Sequence, residues 1–164
     1  MSAADANSLS AAPLIWIDGD ACPRPVKQLV MRTGQRRGVG VRMVCAQTMN
    51  LPEDGGDVEL IIVDSGADAA DKEILERMRA GDLTVTADIP LADAVVKQGG
   101  VAIDPRGQIY DAASIGEKLA TRNLMQELRS HTLEQRGGPP PYVQKDFQRF
   151  ANALDRLLTK MLQA

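Results

Sequence analysis

The chain is poor in the residues on which much protein chemistry relies. Its 164 residues include one histidine, two cysteines and only 3% aromatics. Two thiols and one imidazole cannot close a zinc site, which takes four such ligands. So few aromatic rings exclude a base-stacking platform and leave the core to Ala, Val, Ile, Leu and Met. No apolar run reaches the roughly 18 residues that a membrane-spanning helix needs, so a membrane partner is not expected. Basic excess is missing too: 19 Lys and Arg face 22 Asp and Glu, for a net charge of -3. No global positive field draws such a chain onto nucleic acid, and any contact of that kind must be local. The first dozen residues are rich in Ala and Ser but lack the basic start and long apolar centre of a signal peptide. They read as a disordered leader, residues 1–12, ahead of a single α/β domain over 13–164, a length that supports one real core. Cys22 and Cys45 adjoin apolar runs and read as buried free thiols of a cytoplasmic protein. His131 reads as a solvated loop residue.

What the sequence does have is acid at the ends of apolar runs. Leu14-Ile15-Trp16-Ile17 reads as a short buried strand and runs straight into Asp18-Gly19-Asp20. A carboxylate at the end of a buried strand is costly to desolvate unless something compensates it, and the usual compensators are a cation or a helix N-terminus. Pro23 and Pro25 suit the entrance of the helix that follows. The alternative is local: either aspartate would serve as a helix cap.

The rest repeats the theme. A helix over Val26 to Arg37, ended by Gly38 and Gly40, leads to a strand over 41–46. Val58 to Asp64 is again apolar and again ends in aspartate. Asp68 and Asp71 follow, one helical turn apart and on one face, at the start of a helix reaching about Arg79. They are ligand candidates or, alternatively, an Asp-for-Glu capping box. Leu83 to Ala87 is a strand leading into Asp88, then a helix over Pro90 to Gln98, then a strand over 101–103 ending at Asp104-Pro105-Arg106-Gly107. That last tetrapeptide is turn chemistry, so Asp104 reads as a turn former. Strand and helix alternate, which calls for a mostly parallel, five-stranded sheet with helices on both faces. Right-handed crossovers put every strand's C-terminal end on one rim: Asp18, Asp64, Asp88 and Asp104 lie there, with Asp20, Asp68, Asp71 and Asp93 just beyond. The remainder is helical. Ala112 to Arg129 carries Ile115, Leu119, Leu124, Met125 and Leu128, with Ser114 and Glu117 as a capping box. Residues 130–143 form a Gly/Pro-rich loop. Gln144 to Leu162 carries a core stripe of Phe147, Phe150, Leu154, Leu157, Leu158 and Met161.

Aspartates converging on one rim suit a hard divalent cation, Mg²⁺ or Mn²⁺. Such ions clamp the oxygens of a phosphodiester and create a nucleophile from water, so no histidine is required. Ile15 to Pro23, Val63 to Asp71 and Thr86 to Ala92, with Arg122-Asn123 and Gly137-Gly138-Pro139, resemble the YaiI/YqxD family of uncharacterised bacterial proteins. The likeness covers residues 14 to about 160. That family is grouped with PIN-like domains, metal-dependent nucleases built as three-layer α/β sandwiches. The resemblance implies a PIN-like fold and a nuclease, with RNA as the expected nucleic acid. Asp18 resembles the PIN first-strand aspartate, Asp68 or Asp71 its helix-start aspartate, and Thr86-Ala87-Asp88 its Thr-x-Asp. The PIN mid-chain glutamate has no clear equivalent, and Asp64 or Asp20 is left to replace it.

The candidate catalytic and metal residues are therefore Asp18, Asp20, Asp68, Asp71 and Asp88. Arg24 and Lys27 near the acidic turn, with Arg122 and Asn123, are the candidates for gripping substrate. Arg129, Arg136, Lys145 and Arg149 are further candidates for phosphate contact, with a solvated helix face as the alternative for each. Two rival readings remain. Apolar-Asp-x-Asp also resembles the first motif of haloacid-dehalogenase-type phosphatases, with Asp18 as nucleophile and Asp20 as acid/base, although Cys22 stands where threonine or valine is usual. The third reading is a non-catalytic PIN-like domain that binds nucleic acid or protein.

Overall fold

The computed structural model describes residues 12–51, 55–66, 68–131 and 140–163. β1 (Ile15–Asp18) is buried at all four positions, as a central strand covered on both faces must be. α1 (Arg24–Arg37) starts two residues earlier than the apolar spacing indicates, because Pro23 takes the N-cap position and a second proline is accepted in the first turn. β2 (Val41–Cys45) and β3 (Val58–Ile62) follow, then α2 (Ala69–Arg77), β4 (Leu83–Val85), α3 (Ile89–Lys97) and β5 (Val101–Ile103). The sheet has six strands in the order β3-β2-β1-β4-β5-β6. All pairs among β1 to β5 are parallel. The sixth strand, β6 (Ile109–Tyr110), is an antiparallel hairpin partner of β5. It is an addition to the five expected strands, and two residues are too few to carry a periodic signal.

Alternation along the strands sorts the side chains into two layers. Ile15, Ile17, Leu83 and Val85 join the core under α1 and α5 (Gln144–Gln163). Trp16, Val44 and Ala102 join the core under α2, α3 and the start of α4 (Ile115–His131). The architecture is thus a mostly parallel sheet between helices on both faces, a three-layer α/β sandwich. Phe150, Leu154 and Leu158 on α5 are almost wholly buried, each side chain contributing about 1.5–3 kcal/mol of apolar burial. Phe147, Leu157 and Met161 flank them half-buried.

The second half of α4 departs from the expected core. Leu124, Met125 and Leu128 are each about half exposed; only Ile115 is buried on this helix, with Leu119 half-buried. The reciprocal bonds before α4 pair Ser114 with Asp111, three residues upstream, rather than with Glu117. Asp111 Oδ1 accepts from the amides of Ala113 and Ser114, both at 3.0 Å, and the Asp111 amide donates to Ser114 Oγ at 3.3 Å. These amides hold the Asp111 carboxyl below its ordinary value. His131 is the last residue of α4 rather than a loop residue. Residues 1–11 of the expected leader, Ala67, and residues 132–139 of the expected Gly/Pro-rich loop, Arg136 among them, fall outside the described residues.

The N-terminal rim of the sheet is organised by an aspartate that the apolar pattern does not mark. Asp82, 3% exposed, accepts from the Leu14 amide at 3.0 Å, the Trp16 indole at 2.9 Å and the Arg79 amide at 3.0 Å. One carboxylate thereby ties β1, β4 and the end of α2 together.

Candidate functional site

Strand order reverses between β1 and β4: one leads outward to β2 and β3, the other to β5 and β6. In open α/β sheets such a switch point opens a crevice at the C-terminal ends of the strands. Asp18 ends β1 there and, by alternation from Trp16, points into the α2/α3 layer. It is 6% exposed. Its Oδ2 accepts from Thr86 Oγ1 at 3.0 Å. Thr86 Oγ1 in turn accepts from the Asp88 amide at 3.0 Å, so its own proton is committed to Asp18. Asp88 is the N-cap of α3, its Oδ1 accepting from the Leu91 amide at 3.1 Å.

Neither acid of the first turn caps α1, whose N-cap Pro23 has no side-chain bond. Asp20 instead reaches across to β2, where its Oδ2 accepts from the Ala46 amide at 2.8 Å. The glycine between the two acids has a steric reason. A Cβ on Gly19 would lie 2.9 Å from Cys45 Cβ and 3.0 Å from Met43 Cγ, so the turn is pressed against β2. Lys27 Nζ donates to the Gly19 carbonyl at 3.1 Å and seats a cation at the same turn.

Asp68 occupies the N-cap position of α2, yet its side chain makes no cap bond. Its exposed carboxylate, like that of half-buried Asp71 in the first turn, is left to face the rim. The electrostatics join these groups. Burial raises the Asp18 carboxyl; the Thr86 hydroxyl pulls it back, and Asp88 and Asp20 push it up further. Asp71 is pushed up to about 6, by burial first and then by Asp88, Asp18 and Asp68. Asp88 and Asp20 thus act on Asp18, and Asp88, Asp18 and Asp68 on Asp71, so the five acids are linked through these two.

The other rim acids are elsewhere or spoken for. Asp64 is exposed beyond β3, two strands or about 10 Å from β1. Of the two candidates to replace the PIN glutamate, Asp20 is therefore the one that acts on Asp18. Asp93 pairs with Lys97 at 2.8 Å. Asp104 builds the hairpin turn, its Oδ1 accepting from the Arg106 and Gln108 amides, each at 2.9 Å. Cys22 is buried, its thiol donating to the Val85 carbonyl at 3.6 Å. Burial, with Asp18 beside it, raises that thiol far above its ordinary value. Cys45 is also free and buried, and burial raises it too. Buried thiols raised in this way are poor nucleophiles.

Of the expected substrate contacts, only Lys27 joins the acidic turn directly. Arg24 is exposed at the first position of α1. Arg122 and Asn123 sit on α4, where Arg122 Nη1 donates to Asn123 Oδ1 at 3.1 Å. Arg122 lines a cavity of about 440 Å³ with Ile89, Tyr110 and Lys118, and Ile89 follows Asp88 directly in the chain. None of the five acids lines that cavity, so Arg122 is not brought to the cluster.

A cation fits this donor set by chemistry, since every donor is a hard oxygen and positive charge would relieve what raises Asp18 and Asp71. The carboxylates as they stand do not close a full coordination sphere. Among the described residues, no three of His, Cys, Asp or Glu form a metal-holding group. The arrangement suits an ion held by one or two carboxylates and otherwise by water, the habit of Mg²⁺.

The comparison with known proteins covers the whole stretch that carries these acids. The family profile described as "Uncharacterized BCR, YaiI/YqxD family" covers residues 16–160. The chain belongs to this family. Family relatives match along nearly their whole lengths. A UPF0178 protein of Geobacter sulfurreducens is 48% identical over 149 residues, covering 91% of this chain and 98% of the relative. One from Trichlorobacter lovleyi is 46% identical over 149 residues, covering 91% and 96%. One from Pseudomonas aeruginosa is 47% identical over 147 residues, covering 90% and 91%. No helix among the described residues is long and apolar enough to cross a membrane.

Proposed function

We propose that this chain is a PIN-like, Mg²⁺- or Mn²⁺-dependent nuclease that hydrolyses phosphodiesters of RNA at the acidic rim. The observation that carries the reading is the gathering of carboxylates at the switch point, where Asp71 is pushed up to about 6 by burial and then by Asp88, Asp18 and Asp68. Burial and like-charge repulsion both disfavour the ionised carboxylates, and a divalent cation relieves both.

A bound ion would supply Lewis acidity toward a phosphoryl oxygen and a more acidic water. The chain's own residues do the positioning. Asp18 is held in one orientation by the Thr86 hydroxyl and presents its free oxygen to the crevice. Asp88 spends one oxygen on the Leu91 amide, which fixes the other. Asp20 is pinned by Ala46, and Asp68 and Asp71 close the cluster from α2. Lys27, next to the acidic turn, is placed to meet a phosphate oxygen, with Arg24, one helical turn before it on α1, and Arg122 on α4 as further candidate contacts.

Two measurements test the reading together. Calorimetric titration with MnCl₂ should give a binding isotherm that Asp18→Asn abolishes, and the wild-type chain should cleave a single-stranded RNA only when Mn²⁺ or Mg²⁺ is added. Absence of both sinks the nuclease. Trapping of beryllium fluoride at Asp18 would assign the phosphatase chemistry instead, and RNA binding without metal binding the non-catalytic domain.

A further inference from the structure

A second charged surface stands apart from the acids. The β5–β6 turn and the outer face of α5 enclose a cavity of about 500 Å³ lined by Arg106, Gly107, Gln108, Arg149, Asn152 and Arg156. Among the described residues, no carboxylate lines it. Arg149, Asn152 and Arg156 are spaced to share one side of a helix. Arg149 and Arg156 are exposed. Neither has an ion pair or side-chain hydrogen bond among the described residues, where the ion pairs all involve other cations. The neighbouring acid on α5, Asp155, is taken by Arg37 at 3.0 Å.

The third arginine is fixed. Arg106 Nη1 pairs with buried Asp146 at 3.0 Å, another of its nitrogens donates to the Pro140 carbonyl, and its guanidinium lies 5.9 Å from the Tyr142 ring centre. Gly107 makes the wall continuous. Its φ is +90°, and a Cβ there would stand 2.7 Å from the Arg149 backbone, so the turn rests directly on the helix. The turn that walls the groove lies on the same rim as the acids, since it leaves the C-terminal end of β5, which runs parallel to β4 and β1.

We infer that this arginine groove is the binding track for the phosphate backbone of a nucleic-acid strand. Guanidinium groups match phosphate oxygens in pairs. The roots of Arg149 and Arg156 are about 10 Å apart along the helix axis, a spacing that serves successive phosphates better than one. Gln108 and Asn152 add amides that hydrogen-bond phosphate or sugar without reading sequence. The anion groove stands on its own geometry; the choice of nucleic acid over another polyanion rests on the nuclease reading of the rim.

The test is fluorescence anisotropy with a labelled oligouridylate, in EDTA so that neither metal nor cleavage enters. The wild type should bind with a steep salt dependence. Arg149→Ala/Arg156→Ala should bind about tenfold more weakly, with a slope of log K against log salt shallower by roughly 1.4, at about 0.7 per lost contact on a single strand. Arg149→Lys/Arg156→Lys should keep most of the slope, and Arg36→Ala on α1 should match the wild type. Urea melts of each variant check the fold. Unchanged affinity and slope in the alanine double variant overturn the groove, as does absence of binding. Displacement by inorganic pyrophosphate at equal phosphate concentration also overturns it, in favour of a single-anion pocket. The two readings fail separately. Arginine-dependent binding without metal-dependent cleavage removes the nuclease and keeps the groove; cleavage indifferent to the arginines does the reverse.

Discussion

Thr86 donates its hydroxyl proton to Asp18 across the junction of β1 and β4, at 3.0 Å. The direction is set because the same oxygen accepts the Asp88 amide. One hydroxyl therefore joins the first acidic strand end to the third and compensates part of the burial that raises Asp18.

Thr86→Val should remove that compensation while keeping the shape. The variant leaves a buried carboxylate and an amide short of a partner, and it should lose about 1–3 kcal/mol of stability at pH 7. The loss should shrink at pH 3, where Asp18 is neutral and demands less. Urea denaturation at both pH values measures it, and a loss that ignores pH contradicts the assignment.

Asp18→Asn should separate fold from function. The amide keeps an acceptor for Thr86 and ends repulsion from Asp88 and Asp20, so stability at pH 7 should stay within about 1 kcal/mol of wild type or rise. Mn²⁺ binding should be lost. A chain that unfolds on this change would mean that the carboxylate is structural.

Asp71 should titrate late. Its folded value, about 6, lies above its ordinary 3.8, so between those values the folded chain holds a proton that the unfolded chain has released. Stability from this group is greatest below pH 3.8 and falls as pH rises toward 6. Asp71→Asn should therefore stabilise the chain at pH 7.5 and make little difference at pH 3.5. Carboxyl-carbon NMR should place the Asp71 midpoint near 6 and move it down in Asp88→Asn. A midpoint near 4 in the wild type would dissolve the cluster.

Asp82→Ala should do the opposite of Asp18→Asn. Three donors, one of them the Trp16 indole, lose their acceptor in a buried place. The cost should be about 3 kcal/mol or more, read from the urea midpoint, with Mn²⁺ affinity per folded molecule unchanged.

The apolar runs were enough to place β1 to β5 and the helices between them, because a strand covered on both faces must be continuously apolar and a helix with one buried face must repeat. They were also enough to put Asp18, Asp20, Asp68, Asp71 and Asp88 near one rim, since chain direction in a parallel sheet fixes which strand ends meet. Which acids act together is a different matter. Asp64 and Asp104 end strands just as Asp18 does, yet one lies beyond β3 and the other is consumed by its own turn. That sorting depends on strand order, on where the two halves of the sheet diverge, and on which amides happen to be within reach. The same holds for Asp82, for exposed Leu124 and Leu128, and for Arg106 beside Arg149 and Arg156. Local patterning settles what each segment becomes. Only packing segments distant in the chain decides which charges find partners and which are left for something else to bind.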